Sequence, residues 1–336
     1  MIEIDGSYLE GGGQIIRTAA GLSAVTGKPF RVSGIRKGRA DPGLKAQHMK
    51  GVEAVGLLCS AKIRGLNLGS TELEFVPGKL DFHPLTVNVG TAGSVTLVMQ
   101  SLMIPLVKTD RDLEMRLIGG THVNWSPPAD YFQHVFSYFL KRMGVEMNVD
   151  VIKPGFYPKG GGEVLIKIKP GKLKGISATE RGKFLRSEAW CSASSDLEKA
   201  KVAERMIRGA ESVMCPDVKT ISYAESFSTG CSMLMSSSYD NAVLGASAIG
   251  ERGVPAESVG EEAARLLKKQ VDSGACLDEW MADQILPYMA LARGKSAISV
   301  ARLTDHAKTN MWVIEKFLDR KFTSREHGKC VLIECV

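Results

Sequence analysis

Paired cysteines at metal-binding spacing are absent from this sequence of 336 residues. Its seven cysteines are scattered, and no two form a Cys-x-x-Cys pair. This absence argues against a zinc site and a disulfide framework, so we expect reduced thiols and an intracellular protein. No Gly-x-Gly-x-x-Gly follows a predicted strand, and no Gly-x-Ser-x-Gly elbow or histidine-rich zinc spacing occurs. The commonest signatures of dinucleotide-binding proteins, hydrolases and zinc enzymes are therefore excluded.

Long apolar runs are also missing. The longest, from Ser94 to Val107, is interrupted by Gln100, Ser101 and Pro105, and a bilayer-spanning helix needs about 20 apolar residues. The first residues carry acidic side chains where a signal peptide needs a basic stretch and an apolar run. We therefore expect a cytoplasmic protein that makes no contact with a membrane.

Charge and length set broad limits. The 43 Lys and Arg residues against 37 Asp and Glu give a net charge of +6; this permits a polyanionic partner without demonstrating one. A content of 44% apolar and 24% charged residues excludes wholesale disorder. A chain of 336 residues exceeds what one hydrophobic core usually supports. We therefore expect two lobes or a repeated architecture.

The pattern of predicted strands and helices repeats along the chain. Residues 1–80 and 81–171 both show the order βαβαββ, and residues 276–336 show a shorter version that begins with a helix at Trp280–Ala292. We predict an α+β fold in which three such units pack together. Coincidence stays open as the alternative, because helices and strands alternate in many proteins.

The residues between the second and third units break this rhythm. They include a predicted helix over Asp196–Met214 and another over Ala256–Val271, in an overall βαββα order. We predict a small inserted domain over 180–275 and a large domain formed by 1–179 and 276–336.

Three glycine-containing segments raise the question of phosphate binding. Glu10–Gln14 follows a strand and precedes a helix that carries Arg17, so its amides could face an anion; a flexible turn is the equal alternative. Gly21–Pro29 resembles a phosphate loop but has the wrong spacing and lies at a helix C-terminus, where a capping role is favoured. Gly160–Gly162 is interpreted as a hairpin turn.

Polar loops precede the second helix of each unit. In the first unit this loop contains four cations within ten residues, Arg36–Lys45, which suits a phosphate-binding rim or a solvated charged segment. In the third unit it contains His306, a candidate base or nucleophile with Asp305 as a possible orienting group. An inert loop histidine is the alternative.

A whole-chain resemblance decides between these alternatives. The matching stretches are Asp5-Gly6, Glu10–Arg17, Ile35–Arg39, Pro42–Leu44, Gln47-His48, Gly90–Ser94, Gln100, Gly119–Thr121, Pro127–Asp130, Gly155–Gly162, Ala282–Gln284, His306 and Thr309-Asn310. Along essentially its whole length, the chain resembles the RNA 3'-terminal phosphate cyclases. The resemblance implies three βαβαββ units with a small inserted domain.

The resemblance also implies an activity. Such enzymes use ATP, with Mg²⁺ or Mn²⁺, to convert an RNA 3'-terminal phosphate into a 2',3'-cyclic phosphodiester through an adenylylated histidine and an RNA(3')pp(5')A intermediate. The residue matching the nucleophile is His306. The residues implied for nucleotide binding are Glu10, Arg17, Gln100, Pro128, Trp280, Met281, Ala282, Asp283 and Gln284. Glu10 is the implied metal ligand, and Arg36, Arg39 and Gln47 are candidates for binding the RNA phosphate or the triphosphate. Trp280 replaces an expected tyrosine, and either ring can stack.

Two alternative functions fit the sequence less well. A catalytically inactive relative would act as an RNA-binding ribosome-assembly factor, but such relatives lack the nucleophilic histidine that His306 supplies here. An enolpyruvyl transferase also uses repeated units, but it would need two lobes of several units each. The sequence therefore favours the cyclase.

Overall fold

A computed structural model describes residues 1–336, and its elements follow one another as four groups along the chain. The first group is β1 (Ile2–Asp5), α1 (Gln14–Thr26), β2 (Phe30–Ser33), α2 (Ala46–Leu58), β3 (Lys62–Arg64) and β4 (Leu73–Val76). The second is β5 (Leu85–Asn88), α3 (Val95–Leu106), β6 (Leu113–Gly119), α4 (Ala129–Tyr131), a π-helical turn (Phe132–Phe136), α5 (Ser137–Arg142), β7 (Met147–Lys153) and β8 (Gly162–Ile168).

The third group begins after a two-residue strand, β9 (Ser177–Ala178). It comprises β10 (Phe184–Ser194), a 3₁₀ turn (Ser195–Leu197), α6 (Val202–Glu211), β11 (Val218–Ala224), β12 (Cys231–Tyr239), β13 (Val243–Ile249) and α7 (Ala256–Asp272). The last group is α8 (Glu279–Leu291), β14 (Ser296–Val300), α9 (Asp305–Phe317), β15 (Phe322–His327) and β16 (Cys330–Cys335). The fold is α+β, as the sequence predicts.

Three of the four sheets share one strand order. The orders are β1-β2-β4-β3, β5-β6-β8-β7 and β9-β14-β16-β15, and in each sheet the first two strands pair in parallel. The strand β9 was not predicted; it completes the third sheet from a point in the chain before the third group of elements. The fourth sheet, β11-β10-β12-β13, belongs to the third group alone. The division into a large and an inserted domain stays a prediction.

The helices of the first, second and fourth groups pack against one another, and the sheets lie outside them. In β2, Phe30 and Val32 are buried while Arg31 and Ser33 are exposed, so one face of the strand packs on the helices and the other meets water. Phe30 stacks on Phe75 at 5.6 Å between ring centroids and meets the edge of Phe317 in α9 at 5.9 Å. Such contacts join the first group to the last, and truncating a buried Phe typically costs about 3–5 kcal/mol.

Two predictions about the third group are wrong. The helix predicted over Asp196–Met214 begins only at Val202, because Lys201 has the left-handed φ of 49° and Asp196 accepts a hydrogen bond from Thr229 across the turn. The group also has three consecutive strands after α6, giving βαβββα instead of βαββα. β13 was missed because residues 245–248 are Gly-Ala-Ser-Ala, small residues with little strand preference.

None of the helices has the length and apolar composition required to cross a bilayer. All seven cysteines are free thiols, and only Cys215 is exposed. Burial raises the pKa of Cys59 to about 11 and that of Cys191 to about 12, so these two thiols stay protonated at neutral pH.

Candidate functional site

A cleft of about 810 Å³ opens where α1, α2, α3, α8 and α9 begin. That volume lies within the range of small-molecule sites, about 300–1,000 Å³. The residues expected at the site that do line it are Glu10, Arg17, Arg36, Arg39, Gln47, Gln100, Trp280, Asp283, Gln284 and His306. The fold thus brings together residues that are far apart in the sequence.

The glycine turn before α1 forms one wall of the cleft. Gly13 caps the helix, and a Cβ there would overlap the imidazole of His48, so only glycine fits. Gly12 faces His306: a Cβ at residue 12 would lie 3.6 Å from Cε1 of the imidazole. Burial, followed by the nearby Arg17, lowers the pKa of His48 to about 3. The His48 ring is therefore neutral, and it packs against the glycine turn at Gly13.

His306 lies on a helix and not in a loop, which corrects the sequence prediction. It is the second residue of α9, which begins at Asp305, so the polar loop predicted before this helix ends before His306. Thr304 caps the helix, because its hydroxyl accepts a hydrogen bond from the Ala307 amide at 3.0 Å. Because His306 lines the cleft, the N-terminus of α9 lies at the cleft wall, where its dipole favours a bound anion.

Gln14 orients the imidazole of His306. The Gln14 Nε2 donates to Asp283 Oδ2 at 3.1 Å, which leaves Gln14 Oε1 facing His306 Nδ1 at 2.8 Å. Because an amide oxygen only accepts hydrogen bonds, Nδ1 carries the ring proton and Nε2 keeps a free lone pair. The predicted orienting group, Asp305, is wrong: its carboxylate pairs with Lys308 at 2.9 Å and does not contact the ring.

The free nitrogen of His306 faces charged side chains. Its Nε2 lies 3.6 Å from Glu10 Oε1, the same oxygen that accepts a hydrogen bond from Arg39 Nη2 at 2.6 Å. Burial lowers the pKa of His306 below its ordinary value of 6.5, Arg17 and Arg39 add to that effect, and Glu10 opposes it. The imidazole is therefore neutral at neutral pH, the state in which it can act as a nucleophile.

A buried cation lies at the bottom of the cleft. The Arg17 Nε donates to Gln100 Oε1 at 3.0 Å. Burial lowers the pKa of Arg17 to about 10, and Asp283 opposes the shift, so the guanidinium stays charged at neutral pH. Burial also raises the pKa of Asp283 to about 7 against the opposing influence of Arg17. A charged, partly desolvated guanidinium is suited to a phosphate.

The residues expected to bind the nucleotide are not all at the surface of the cleft. Trp280 and Gln284 line it, and the Oε1 atom of Gln284 is buried without a hydrogen-bond partner. Met281 and Ala282 are fully buried in the core and do not line it. Pro128 is buried at the start of α4, and its neighbour Pro127 lines the cleft in its place. On α8, the side of the helix that a residue occupies decides whether it faces the cleft or the core.

The cationic loop after β2 folds along the rim of the cleft. Arg36, with the left-handed φ of 53°, donates through Nη1 to the backbone oxygens of Asp41 at 2.8 Å and Gly43 at 3.0 Å. It therefore organises its own loop. Lys45 also lines the cleft and pairs with Asp41. Arg39, which is held only by Glu10, has the freer guanidinium.

The residues suit a metal ion only in combination with a bound phosphate. No group of three or more His, Cys, Asp and Glu side chains is placed to hold one. Glu10 is the acidic side chain beside His306 Nε2. Mg²⁺ commonly binds one or two carboxylates together with substrate phosphates. A metal coordinated by Glu10 and a nucleotide is thus compatible with these side chains.

Gln14 and Trp125 also line the cleft, and neither was predicted to be a site residue. Gln14 directly follows the glycine turn, and this position at a helix start was the available signal. For Trp125 no signal in the sequence separates an exposed tryptophan from a buried one.

The chain is similar to known proteins along nearly its whole length. The family described as "RNA 3'-terminal phosphate cyclase" matches residues 8–324. A protein of that name from Archaeoglobus fulgidus is 42% identical over 95% of this chain and 96% of its own. One from Methanopyrus kandleri is 42% identical over 95% and 93%, and one from Pyrococcus abyssi is 40% identical over 96% and 94%.

A solved structure of EPSP synthase from Acinetobacter baumannii aligns with 95% of this chain and 61% of that one, at 12% identity and a TM-score of 0.27. That likeness is too low to support an argument. The family match and the relatives cover nearly the whole chain. The chain therefore belongs to the RNA 3'-terminal phosphate cyclase family.

Proposed function

We propose that the protein uses ATP to convert an RNA 3'-terminal phosphate into a 2',3'-cyclic phosphodiester in the cytoplasm, with His306 as the nucleophile. The observation that carries the proposal is the hydrogen bonding of the His306 imidazole, which leaves one ring nitrogen free. Its Nδ1 is bound to Gln14 at 2.8 Å, and its Nε2 is free beside the cationic wall of a nucleotide-sized cleft. The family membership supports the same assignment.

In the first step, His306 Nε2 attacks the α-phosphorus of ATP. A phosphorus–nitrogen bond forms, the bond from the α-phosphorus to the bridging oxygen breaks, and pyrophosphate leaves with that electron pair. Arg17 and Arg39 are placed to offset the charge that accumulates on the phosphate oxygens. The Gln14 hydrogen bond stabilises the proton on Nδ1 as the ring becomes positively charged.

In the second step, an oxygen of the RNA 3'-phosphate attacks the same phosphorus, and His306 leaves as neutral imidazole. The product is RNA(3')pp(5')A. The vicinal 2'-hydroxyl then attacks the RNA phosphorus and loses its proton to water, and AMP leaves with the electron pair of the broken phosphoanhydride bond. Activation is required because oxide is not a viable leaving group at neutral pH, whereas AMP is. Closure is intramolecular, and effective molarities for such steps reach about 10⁵ M or more.

The remaining contacts divide between the two substrates. Trp280 offers a ring to the adenine, and Gln284 lines the cleft on the same helix. Arg36, Arg39 and Gln47 lie on the rim, where a 3'-phosphate or the triphosphate tail would bind. Mg²⁺ or Mn²⁺, held by Glu10 and the nucleotide, would supply positive charge to the phosphates.

We infer also that the first, second and fourth groups of elements are copies of one βαβαββ unit. Their shared strand order supports this inference. Three units would then place their helix N-termini around the common cleft, and residues 180–275 would form an insertion between the strand β9 and the rest of its sheet.

The decisive experiment measures the transfer of a radioactive label from ATP to the protein. With ATP labelled at the α-phosphorus and a divalent metal, the wild-type protein is expected to take up label in an acid-labile bond. His306→Ala and His306→Asn should take up none, whereas His327→Ala, at an exposed strand end, should label normally. A wild-type protein that binds 3'-phosphorylated RNA but never acquires label would overturn the proposal in favour of an RNA-binding assembly factor.

The pH dependence of labelling is a second readout of the same residue. Protonation removes the lone pair on Nε2, so labelling should fall as the pH drops through the pKa of His306. Because burial, Arg17 and Arg39 lower that pKa, the half-maximal rate should occur below pH 6.5. A midpoint well above 6.5 would show that another group controls the step.

A further inference from the structure

Trp125 is exposed in a way that no other tryptophan of the chain is. The residue is 99% exposed. Trp190 stacks on His134 at 3.9 Å between centroids, Trp312 stacks on Tyr8 at 4.1 Å, and Trp280 is partly buried at the cleft. Trp125 gains nothing from packing within the chain, although a tryptophan has the largest apolar surface to bury.

The segment that carries Trp125 is held in place. Asn124 Nδ2 donates to Glu251 Oε1 at 2.8 Å, on the segment between β13 and α7, and Ser126 Oγ donates to the Val123 backbone oxygen at 3.1 Å. On the C-terminal side, Thr96 Oγ1 donates to the Pro127 oxygen at 2.7 Å. Trp125 is thus presented by a loop anchored on both sides.

The backbone at Trp125 is also strained. Its φ is +66°, in the left-handed region that bulky residues rarely adopt. Such a conformation persists only where the surrounding structure imposes it, and it clusters at ligand-binding positions. An anchored loop, a strained backbone and an uncovered indole together indicate that something outside the chain covers the ring.

The position of Trp125 identifies the ligand chemistry. It lines the same cleft as Arg39, Gln47 and His306. Unpaired nucleobases bind proteins by stacking on exposed aromatic rings beside cationic grooves. We propose that Trp125 is a stacking platform for a base of the RNA near its 3'-terminal phosphate, an assignment that rests on the proposed function.

Two nucleobases could reach this ring, one from ATP and one from RNA. The adenine of ATP already has a partly buried ring in Trp280, and Gln284 lines the cleft on the same helix. Trp125 has no polar partner and lies on an exposed loop, which suits a base whose identity varies. The geometry therefore favours the RNA base over the adenine.

The test compares Trp125→Ala with Trp125→Phe. Binding is measured with a short single-stranded RNA bearing a 3'-phosphate, and labelling is measured with ATP alone. Trp125→Ala should weaken RNA binding by about 5- to 150-fold, the range expected for loss of one base–aromatic stack. Trp125→Phe should retain most of the affinity. Labelling from ATP should match wild type, and the melting temperature should not fall, because the side chain makes no packing contacts.

Three further measurements make the result specific. Phe184→Ala, another exposed aromatic at 55%, should leave RNA binding unchanged. RNA with an abasic nucleotide should bind wild type and Trp125→Ala equally when the missing base is the stacked one. RNA binding should also quench tryptophan fluorescence in wild type more than in Trp125→Phe.

The outcomes separate this inference from the proposed function. If Trp125→Ala binds RNA with normal affinity, and the wild-type protein takes up label and cyclises RNA, only the stacking assignment is overturned. A labelling defect with ATP alone assigns the ring to adenine and also overturns it. Failure of the wild-type protein to label or to bind 3'-phosphorylated RNA would instead remove the proposed function.

Discussion

His122 follows β6, and His306 follows β14. These two strands hold the same place in sheets of the same order. His122 is completely buried, and both ring nitrogens are occupied: Nδ1 contacts Thr121 Oγ1 at 2.7 Å, and Nε2 contacts Asp130 Oδ2 at 3.0 Å. In His306 only Nδ1 is occupied, and the side chain is 44% exposed.

The difference teaches what makes a histidine available for chemistry. A nucleophile needs a free lone pair, a fixed tautomer and access to its substrate. At His306 a neutral amide fixes the tautomer without attracting a second proton. At His122 a carboxylate takes the other nitrogen, and Asp130 is also approached by Ser192 of β10 at 3.4 Å. His122 therefore takes part in a contact between two groups of elements, and neither of its ring nitrogens is free to react.

The largest expected effect on stability comes from His122→Ala. Although burial by itself raises the pKa of Asp130, His122 and His134 hold it below its usual value. Removing His122 leaves the buried carboxylate without its main partner, which typically costs about 3–5 kcal/mol. The melting temperature should fall strongly while His306 still labels at temperatures where the variant remains folded.

His122→Gln, which can still donate a hydrogen bond to Asp130, should be less destabilised than His122→Ala. If His122→Ala melts like wild type and yet loses its label, the structural interpretation of this histidine is wrong and the contrast with His306 disappears.

A smaller effect is expected from Gln14→Ala, which tests the tautomer of His306. Without the amide, either ring nitrogen can carry the proton, so fewer molecules present a free Nε2. Orienting partners of functional histidines at metal sites are typically worth about 10- to 100-fold, and we expect a loss of that size in the maximal labelling rate.

Thr18→Ala is the matched control for Gln14→Ala. Thr18 lies one turn further along α1 and donates to Asn310 Oδ1 at 2.5 Å, so the variant loses a buried hydrogen bond without touching the imidazole. Both variants should lose about 1 kcal/mol of stability. Equal losses of labelling rate in the two would assign the Gln14 effect to general disruption of α1.

The fold was predictable where local chemistry decides it. Gln14–Val25 shows a helical apolar pattern ended by Gly27, and the structure has a helix over Gln14–Thr26 with Gly27 in the left-handed conformation. β13 and β9 were not predictable, because a strand of small residues and a strand of two residues depend on neighbouring strands for their hydrogen bonds.

The candidate site was likewise predictable in part. The resemblance pointed to residues such as Glu10, Arg17 and His306, and all three line the cleft. It could not tell that Met281 and Ala282, beside Trp280 on α8, face the core. Nor could it show that Gln14 and not Asp305 contacts the imidazole. Both facts depend on how α1, α8 and α9 pack against one another.

The smallest effect is expected from Asp305→Ala. Asp305 adjoins His306 in sequence, as an orienting carboxylate would, but its side chain points to Lys308 and is exposed. Removing it should lower the pKa of His306 slightly further, because Asp305 is among the groups that raise it. Labelling at neutral pH should change by less than about threefold, as expected for an exposed ion pair.

The matched variant at the other histidine is Asp130→Ala, which should destabilise the protein much more than Asp305→Ala does. Asp130 is buried and bonded to its histidine, whereas Asp305 is only adjacent to its own. A large loss of labelling in Asp305→Ala would mean that the carboxylate reaches the imidazole when nucleotide is bound, and Gln14 would then share the orienting role.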